Sequence, residues 1–386
     1  MNNKKYDVTY LSVDSIQEGV GSSQITPLIL GLAEKGKVVC LITFEKVMPP
    51  EELVEMFSRA GVVWIVKEFG KLGAIGGLVR LNVLRRSVPK SAVLHGRSDI
   101  ATAAAILSGI DAPVLWDVRS LWSDQRLLIG TAGWNSFTAK AARALENLAA
   151  RKSSAMTTLT AAVVPILEQR HKRIPAIREV IPTCVQTMKF LPSPIPSGQV
   201  TCLLSGTFNN YYDINRTKQV LDELRKSMNL RVIWARAGES PTELLGVGED
   251  FIISASHSEM PRLVQDSHFG IAICKQDNLD SLAAAVPTKI GEFLASGRPV
   301  IVSNGIGDLD HMLTSTRTGV VINHSDSLQT IASQIRTLIS DPKTPERCRE
   351  LAMQQFYMEK SVDRYLQIYD RMQHSSFFKT FGGELK

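Results

Sequence analysis

The segment Pro287-Thr-Lys-Ile-Gly-Glu-Phe-Leu-Ala-Ser-Gly-Arg-Pro-Val-Ile301 concentrates the residues best spaced for chemistry. Thr288 has a hydroxyl that can cap a helix, and the first turn of that helix offers N–H groups to an anion such as a diphosphate. Lys289 adds a mobile positive charge beside them. Glu292 falls one turn later on roughly the same side, where a carboxylate can accept hydrogen bonds from ribose hydroxyls. Gly297 stops the helix and Pro299 opens a buried strand. A capped helix with an exposed Glu fits the same composition, so spacing alone leaves both readings standing.

The first half carries two more constellations. Gly19-Val-Gly-Ser-Ser-Gln24 falls between the first strand and the first helix. There Gly19 and Gly21, with Ser22 in the same turn, let the backbone approach a phosphate at a helix N-terminus. The pattern is not GxGxxG, and a plain tight turn accounts for it equally well. No acidic residue holds a clear second-strand position for a ribose contact, which weighs against a dinucleotide dehydrogenase. His95-Gly-Arg97-Ser98 follows a strand and precedes an Ala-rich helix, and Asp117-Val-Arg119-Ser120 follows the next strand, with Trp122 and Asp124 close behind. Charges at the carboxyl ends of successive strands point into a crevice. Arg119 can grip a phosphate or carboxylate with its fork, or bridge to an Asp and fix its own loop. Asp308-Leu-Asp310 has the D-x-D spacing of a manganese site, but it follows Gly305-Ile-Gly307 at a helix start, where Asp serves as a cap. No metal is expected.

These residues must be positioned by an alternation of short β-branched runs and helices. Expected strands are Tyr6–Ser12, Val38–Phe44, Val62–Val66, Ala92–His95, Val114–Asp117 and Ala155–Thr158, with a helix over Ile25–Lys35. Such β–α alternation implies a parallel sheet covered on both faces. Pro182, Pro192, Pro194 and Pro196 then interrupt the pattern as a linker would. A second series follows: Val200–Ser205, a helix near Asn215–Met228, Leu230–Ala235, Phe269–Cys274 and Pro299–Ser303, with helices filling most of the chain from Ser325. The expected domains are therefore 1–185 and 186–357, with a closing helix over 358–386.

With 386 residues, 44% hydrophobic and 21% charged, the chain suits two globular domains. Five scattered cysteines without a CxxC pair argue against a disulfide framework or a zinc site. Neither a signal peptide nor a transmembrane run is legible, so a soluble, cytoplasmic protein is expected. The formal charge is +6, and residues 1–185 hold 23 Lys and Arg against 16 Asp and Glu. Lys71, Arg80, Arg85, Arg86 and Lys90, then Arg170, Lys172 and Arg173, can attract an anionic membrane or a phosphorylated acceptor. A solvated basic face explains them as well. With aromatics at 6% and none interleaved with the basic residues, nucleic acid is not an expected partner.

Leu11-Ser-Val-Asp14 through Gln24 resembles the opening of the retaining glycosyltransferases of family 4. His95–Ser98, Asp117–Trp122, Ile181-Pro-Thr-Cys184 and Ser205-Gly-Thr207 are similar to family segments in the same order, and Pro287–Ile301 is similar to the donor-binding helix. The resemblance covers nearly the whole chain. It implies the α/β GT-B fold, two facing Rossmann-like domains with parallel sheets and an interdomain cleft. It also implies a UDP- or GDP-linked sugar donor, no further cofactor, and a saccharide or lipid-linked acceptor, at the inner face of the plasma membrane if the basic patch rests there.

By the same resemblance, Glu292 matches the second glutamate of the family's E-x7-E motif and would bind ribose. Lys289 and the Gly19–Gly21 loop would face the diphosphate, with Thr288, Ser22, Arg216 and Lys218 as further donor-side candidates. His95, Arg119 and Lys289 are the catalytic candidates, and Arg97, Asp117 and Asp124 lie on the acceptor side. A helix near Val362–Met372 would cross back onto the first domain. The chain departs from the family twice. Ala284 stands where the first glutamate of E-x7-E belongs, and the family histidine has no plain counterpart near Asp117–Arg119, leaving His95 as the candidate for part of its role. The implied reaction is metal-independent transfer with retention. The rival readings are a non-catalytic sugar-nucleotide-binding subunit and a GT-B sugar-nucleotide epimerase.

Overall fold

The structure is a computed structural model. It describes residues 6–17, 19, 21–70, 76–124, 137–206, 211–236, 251–256, 258–277 and 279–381. Val20, Lys71 and Thr207, named above, lie outside the described residues. The chain divides into two units: one runs to Ile181 and resumes at Met358, and the other is Pro182–Tyr357. The change of unit thus falls at 181 and 182, where 185 and 186 were expected.

The first unit holds β1 (Tyr6–Leu11), β2 (Val39–Glu45), β3 (Val63–Glu68), β4 (Ser91–Arg97), β5 (Val114–Val118), β6 (Ala155–Thr158) and β7 (Ile177–Val180). They form a parallel sheet in the order β3-β2-β1-β4-β5-β6-β7, so the winding reverses between β1 and β4. All seven residues of β2 are buried, as a strand covered on both faces requires. The helices are α1 (Thr26–Glu34), α2 (Glu51–Arg59), α3 (Gly76–Ser87), α4 (Ser98–Ile106), α5 (Phe137–Lys152) and α6 (Val163–Arg170). Leu11, Ile42, Phe44, Leu84, Leu94, Ala101 and Ala104 share one core, in which the small side chains of α4 allow it to lie close on the sheet.

The second unit repeats the plan with β8 (Val200–Ser205), β9 (Leu230–Arg236), β10 (Phe251–Ser254), β11 (Phe269–Ala272), β12 (Val300–Ser303) and β13 (Gly319–Ile322). The order is β10-β9-β8-β11-β12-β13, again parallel, with the reversal between β8 and β11. Its helices are α7 (Ile214–Ser227), α8 (Met260–Gln265), α9 (Leu279–Ala283), α10 (Thr288–Ala295), α11 (Leu309–Thr316), α12 (Leu328–Ser340) and α13 (Thr344–Gln355). In α7, Thr217, Val220, Leu221 and Leu224 face the core at helical spacing, and the Asp213 carboxylate caps the helix by accepting the Arg216 N–H at 2.8 Å. α10 is seated by Phe293. A Cβ on Gly270 of β11 would lie 2.3 Å from the Phe293 ring, so only glycine allows this close approach.

The proline-rich stretch is bound to the second unit and does not hang as a free linker. Prolines there bring no N–H donors to pair with nearby carbonyls, and two arginines satisfy carbonyls of this stretch instead. Arg298, fully buried, donates to Ser193 O at 2.7 Å, Ser193 Oγ at 2.6 Å and Pro194 O at 3.0 Å. Arg349 reaches Thr187 O and Phe190 O at 3.0 and 2.8 Å. The last helix, α14 (Met358–Phe381), packs on α1, β4 and β7 of the first unit. The five thiols are buried, and none is in a disulfide. Among the described residues no helix is long and apolar enough to cross a membrane.

Candidate functional site

At the carboxyl end of the second sheet, beside the β8–β11 reversal, Lys289 donates to Ser205 O at 2.5 Å and lies over the Tyr212 ring, 4.4 Å from its centroid. One turn on, the Glu292 carboxylate is half-buried and accepts no hydrogen bond from a described residue. Burial pushes its carboxyl up to about 7, against the pull of the Lys289 charge. Thr288 is also half-buried, but it does not cap. Pro287 holds the cap position in an extended conformation, and Thr288 is already the first helical residue. A cap needs non-helical backbone at the residue whose oxygen turns back, so the first turn of α10 has no side-chain cap. Ala284 is 2% exposed, so nothing at that position reaches a ligand.

Arg216 and Lys218 part company. Arg216 lines a cavity of about 440 Å³ with Asp213, Lys275, Gln276, Asp277 and His324. Lys218, on the outer face of α7, is half exposed and pairs with Asp222 at 2.5 Å. Helical spacing puts residue 218 about 200° around the axis from 216, so the two side chains do not share a face. Lys289 and Glu292 do not line this cavity.

In the first unit the expected site residues converge on one buried network. His95 is fully buried, its Nδ1 2.7 Å from the Tyr369 hydroxyl and its Nε2 3.3 Å from Asp117 Oδ2. Tyr10, Tyr365 and Tyr369 surround the imidazole ring. Asp117 also accepts from Thr157 at 3.0 Å and Tyr365 at 3.4 Å and lies 3.6 Å from Arg119. Burial would raise the Asp117 carboxyl, but Arg119, His95 and Arg97 outweigh it and hold it well below the usual carboxylate range. Burial pushes His95 down, so the ring stays neutral despite Asp117. Arg97 pairs with Asp14 at 3.2 Å. Asp124, only 4% exposed in its side chain, is gripped by both arms of Arg170 at 2.6 and 3.2 Å. His95 therefore exposes no atom to a substrate, and Asp124 has both carboxylate oxygens committed to an arginine. Asp117 and Arg119 hold each other, and Arg97 is held by Asp14.

The glycine turn is built tightly. Gly19 has φ +56°, and a Cβ on Gly21 would fall 1.7 Å from Ser15 O. From Gly21 to Ile25 the chain makes a π-helical turn that runs straight into α1, and Ser22 donates to Gly19 O at 3.0 Å. An acid does stand at the end of the second strand, contrary to expectation. Glu45 is 2% exposed and accepts from Ser15 Oγ, Ile16 N, Gln17 Nε2 and Thr43 Oγ1 at 2.5–3.1 Å. Its carboxylate thus organises the loop before the glycine turn. Asp308 takes the cap position of α11, and Asp310 accepts the Gly305 N–H at 3.1 and 2.9 Å. Among the described residues no group of three His, Cys, Asp or Glu is placed to hold a metal.

Residues 188–355, nearly all of the second unit, match the family model described as glycosyl transferases group 1. No curated protein matches the chain in sequence. Among solved structures, sucrose-phosphate synthase of Thermosynechococcus elongatus is similar with TM-score 0.72 at 13% identity, over 95% of this chain and 99% of that one. HepE of Anabaena in complex with UDP gives 0.68 at 12% identity, over 95% and 100%. WaaG, a glycosyltransferase involved in lipopolysaccharide biosynthesis, gives 0.66 at 14% identity, over 92% and 98%. At these identities the likeness shows the fold, and the chain has the GT-B fold, with two α/β units each built on a parallel sheet.

Proposed function

We propose that this chain is a glycosyltransferase that takes a sugar from a nucleotide diphosphate donor to a hydroxyl of a saccharide or lipid-linked acceptor, with retention at the anomeric carbon. The observation that carries this reading is the helix α10. Its uncapped first turn, Lys289 at the end of β8 and the unpartnered Glu292 carboxylate stand together within the segment that matches the glycosyl transferase model. The N–H groups and Lys289 suit a diphosphate, and Glu292 suits a ribose. HepE has been crystallised with UDP and with UDP-glucose, which supports the same class of donor here.

In the reaction, the acceptor oxygen bonds to the anomeric carbon on the face the diphosphate leaves. The bond from that carbon to the phosphate oxygen breaks, and the acceptor proton passes to the departing diphosphate. Lys289 and the first-turn dipoles of α10 offset the negative charge that grows there, the task a divalent ion performs in metal-dependent transferases. Arg86 and Lys90, both exposed, offer charge to a phosphorylated acceptor or to an anionic membrane on the cytoplasmic side, consistent with glycolipid or polysaccharide synthesis. Replacing Lys289 by Ala should lower kcat by about a hundredfold to a thousandfold. Turnover unchanged in both Lys289→Ala and Glu292→Ala would remove the assignment. The buried Ala284 favours a second reading, a subunit that binds the donor and transfers nothing. That reading predicts nucleotide binding with no product for any acceptor.

A further inference from the structure

The cavity at the carboxyl ends of β11, β12 and β13 has about 440 Å³ of space, within the range of roughly 300–1,000 Å³ that small-molecule sites occupy. The Lys275, Asp277 and His324 side chains on its wall make no hydrogen bond or ion pair with a described residue. Arg216 donates only to neutral oxygens: Gln219 Oε1 at 3.2 Å, Asn323 O at 3.4 Å and Asp326 O at 3.0 Å. Its charge is therefore matched by no carboxylate in an ion pair, and its Nε is buried without a partner. Asp213 is turned to the α7 backbone as its cap, and Asp277 is exposed. Two cations and an imidazole thus share a cavity with hydrogen-bonding groups of both kinds.

We infer that this cavity binds a hydroxyl-rich group bearing an anionic substituent, a carboxylate or a phosphate, such as a uronate or a sugar phosphate. Lys275 and His324 meet the anion. Asp277, Gln276 and Asn215 meet the hydroxyls, which need acceptors and donors side by side. Arg216 shapes the wall by tying α7 to the loop between β13 and α12. Neither Lys289 nor Glu292 lines this cavity, and the inference stands whether or not a nucleotide binds on α10. Tyr212, whose ring carries Lys289, joins the two places through its backbone pairing with Cys274 of the cavity wall.

The test is a ligand-observed NMR titration of the full chain with glucuronate, glucose 6-phosphate, glucose and UDP. One or both acids should bind while glucose does not, and whichever acid binds tells a carboxylate site from a phosphate site. Lys275→Met and His324→Ala should each weaken that acid by about tenfold and leave UDP affinity unchanged. Acids that bind no better than glucose, or that keep full affinity in both variants, would overturn the inference. UDP serves as the independent arm: its failure to bind would count against the donor site on α10 and leave the cavity's result intact.

Discussion

Two sets of polar residues, one in each unit, differ in what their polar heads are doing. In the first unit, His95, Arg97, Asp117 and Asp124 each have a protein partner, and Asp117 alone engages a His, an Arg, a Thr and a Tyr. In the second, Glu292, Lys275 and His324 point polar groups at no described partner. A buried charge left unpaired is expensive, so a saturated cluster is what folding needs. Lys275 and His324, with open valences near the surface, cost little while water serves them, whereas burial already disfavours the charged form of Glu292; all three remain available for a ligand. The comparison assigns the first cluster to holding α14 against the sheet and the second to binding.

The comparison can be broken most forcefully at Asp117. Asp117→Ala strands Arg119 in the interior and takes from His95 its carboxylate neighbour, and should cost about 3–5 kcal/mol in urea unfolding. The pH dependence has a defined sign. A carboxyl held below its usual range adds stability above the unfolded value, about 3.9, and that stability is lost as the pH falls toward the folded value. His95, kept neutral by burial, acts in the same direction from about pH 6.5 downward. The wild type should therefore weaken on acidification, and Asp117→Ala should weaken less steeply.

Glu292 sharpens the other side of the comparison. With its carboxyl pushed up to about 7, it accepts hydrogen bonds fully only above that pH. Nucleotide affinity, followed by calorimetry, should rise as the pH passes through about 7 and then level, while Glu292→Gln gives a flat and weaker profile. The smallest effect belongs to Lys218, exposed and paired along its own helix. Lys218→Ala should change stability by no more than about 0.5 kcal/mol and leave nucleotide affinity alone.

Much of the fold was legible in the sequence. The strands Ala155–Thr158 and Val200–Ser205 are read from β-branched runs to the residue. β7, β10 and β13 escape: Ile177-Arg-Glu-Val180 carries two charges at its centre, and Phe251–Ser254 and Gly319–Ile322 are apolar but only four residues long, too short for periodicity to tell strand from buried helix. The charges of the site were legible as charges but not in their roles. His95 and Asp117 sit where a crevice is expected, yet two of the three tyrosines that enclose His95 come from α14, more than 260 residues later in the chain. Arg298 lies inside the recognised motif, and its task of holding the proline-rich carbonyls depends on residues a hundred positions earlier. The Thr288, Lys289 and Glu292 face could be read because helical spacing is local.

Thermal unfolding with UDP, GDP and their sugar conjugates, on the wild type and on Glu292→Ala, reads out the donor site on α10. A ligand that binds only the folded chain must raise Tm. One nucleotide series should raise Tm in the wild type, and the rise should be lost in Glu292→Ala. A folded wild type that no nucleotide stabilises, or a rise that survives intact in the variant, would contradict it.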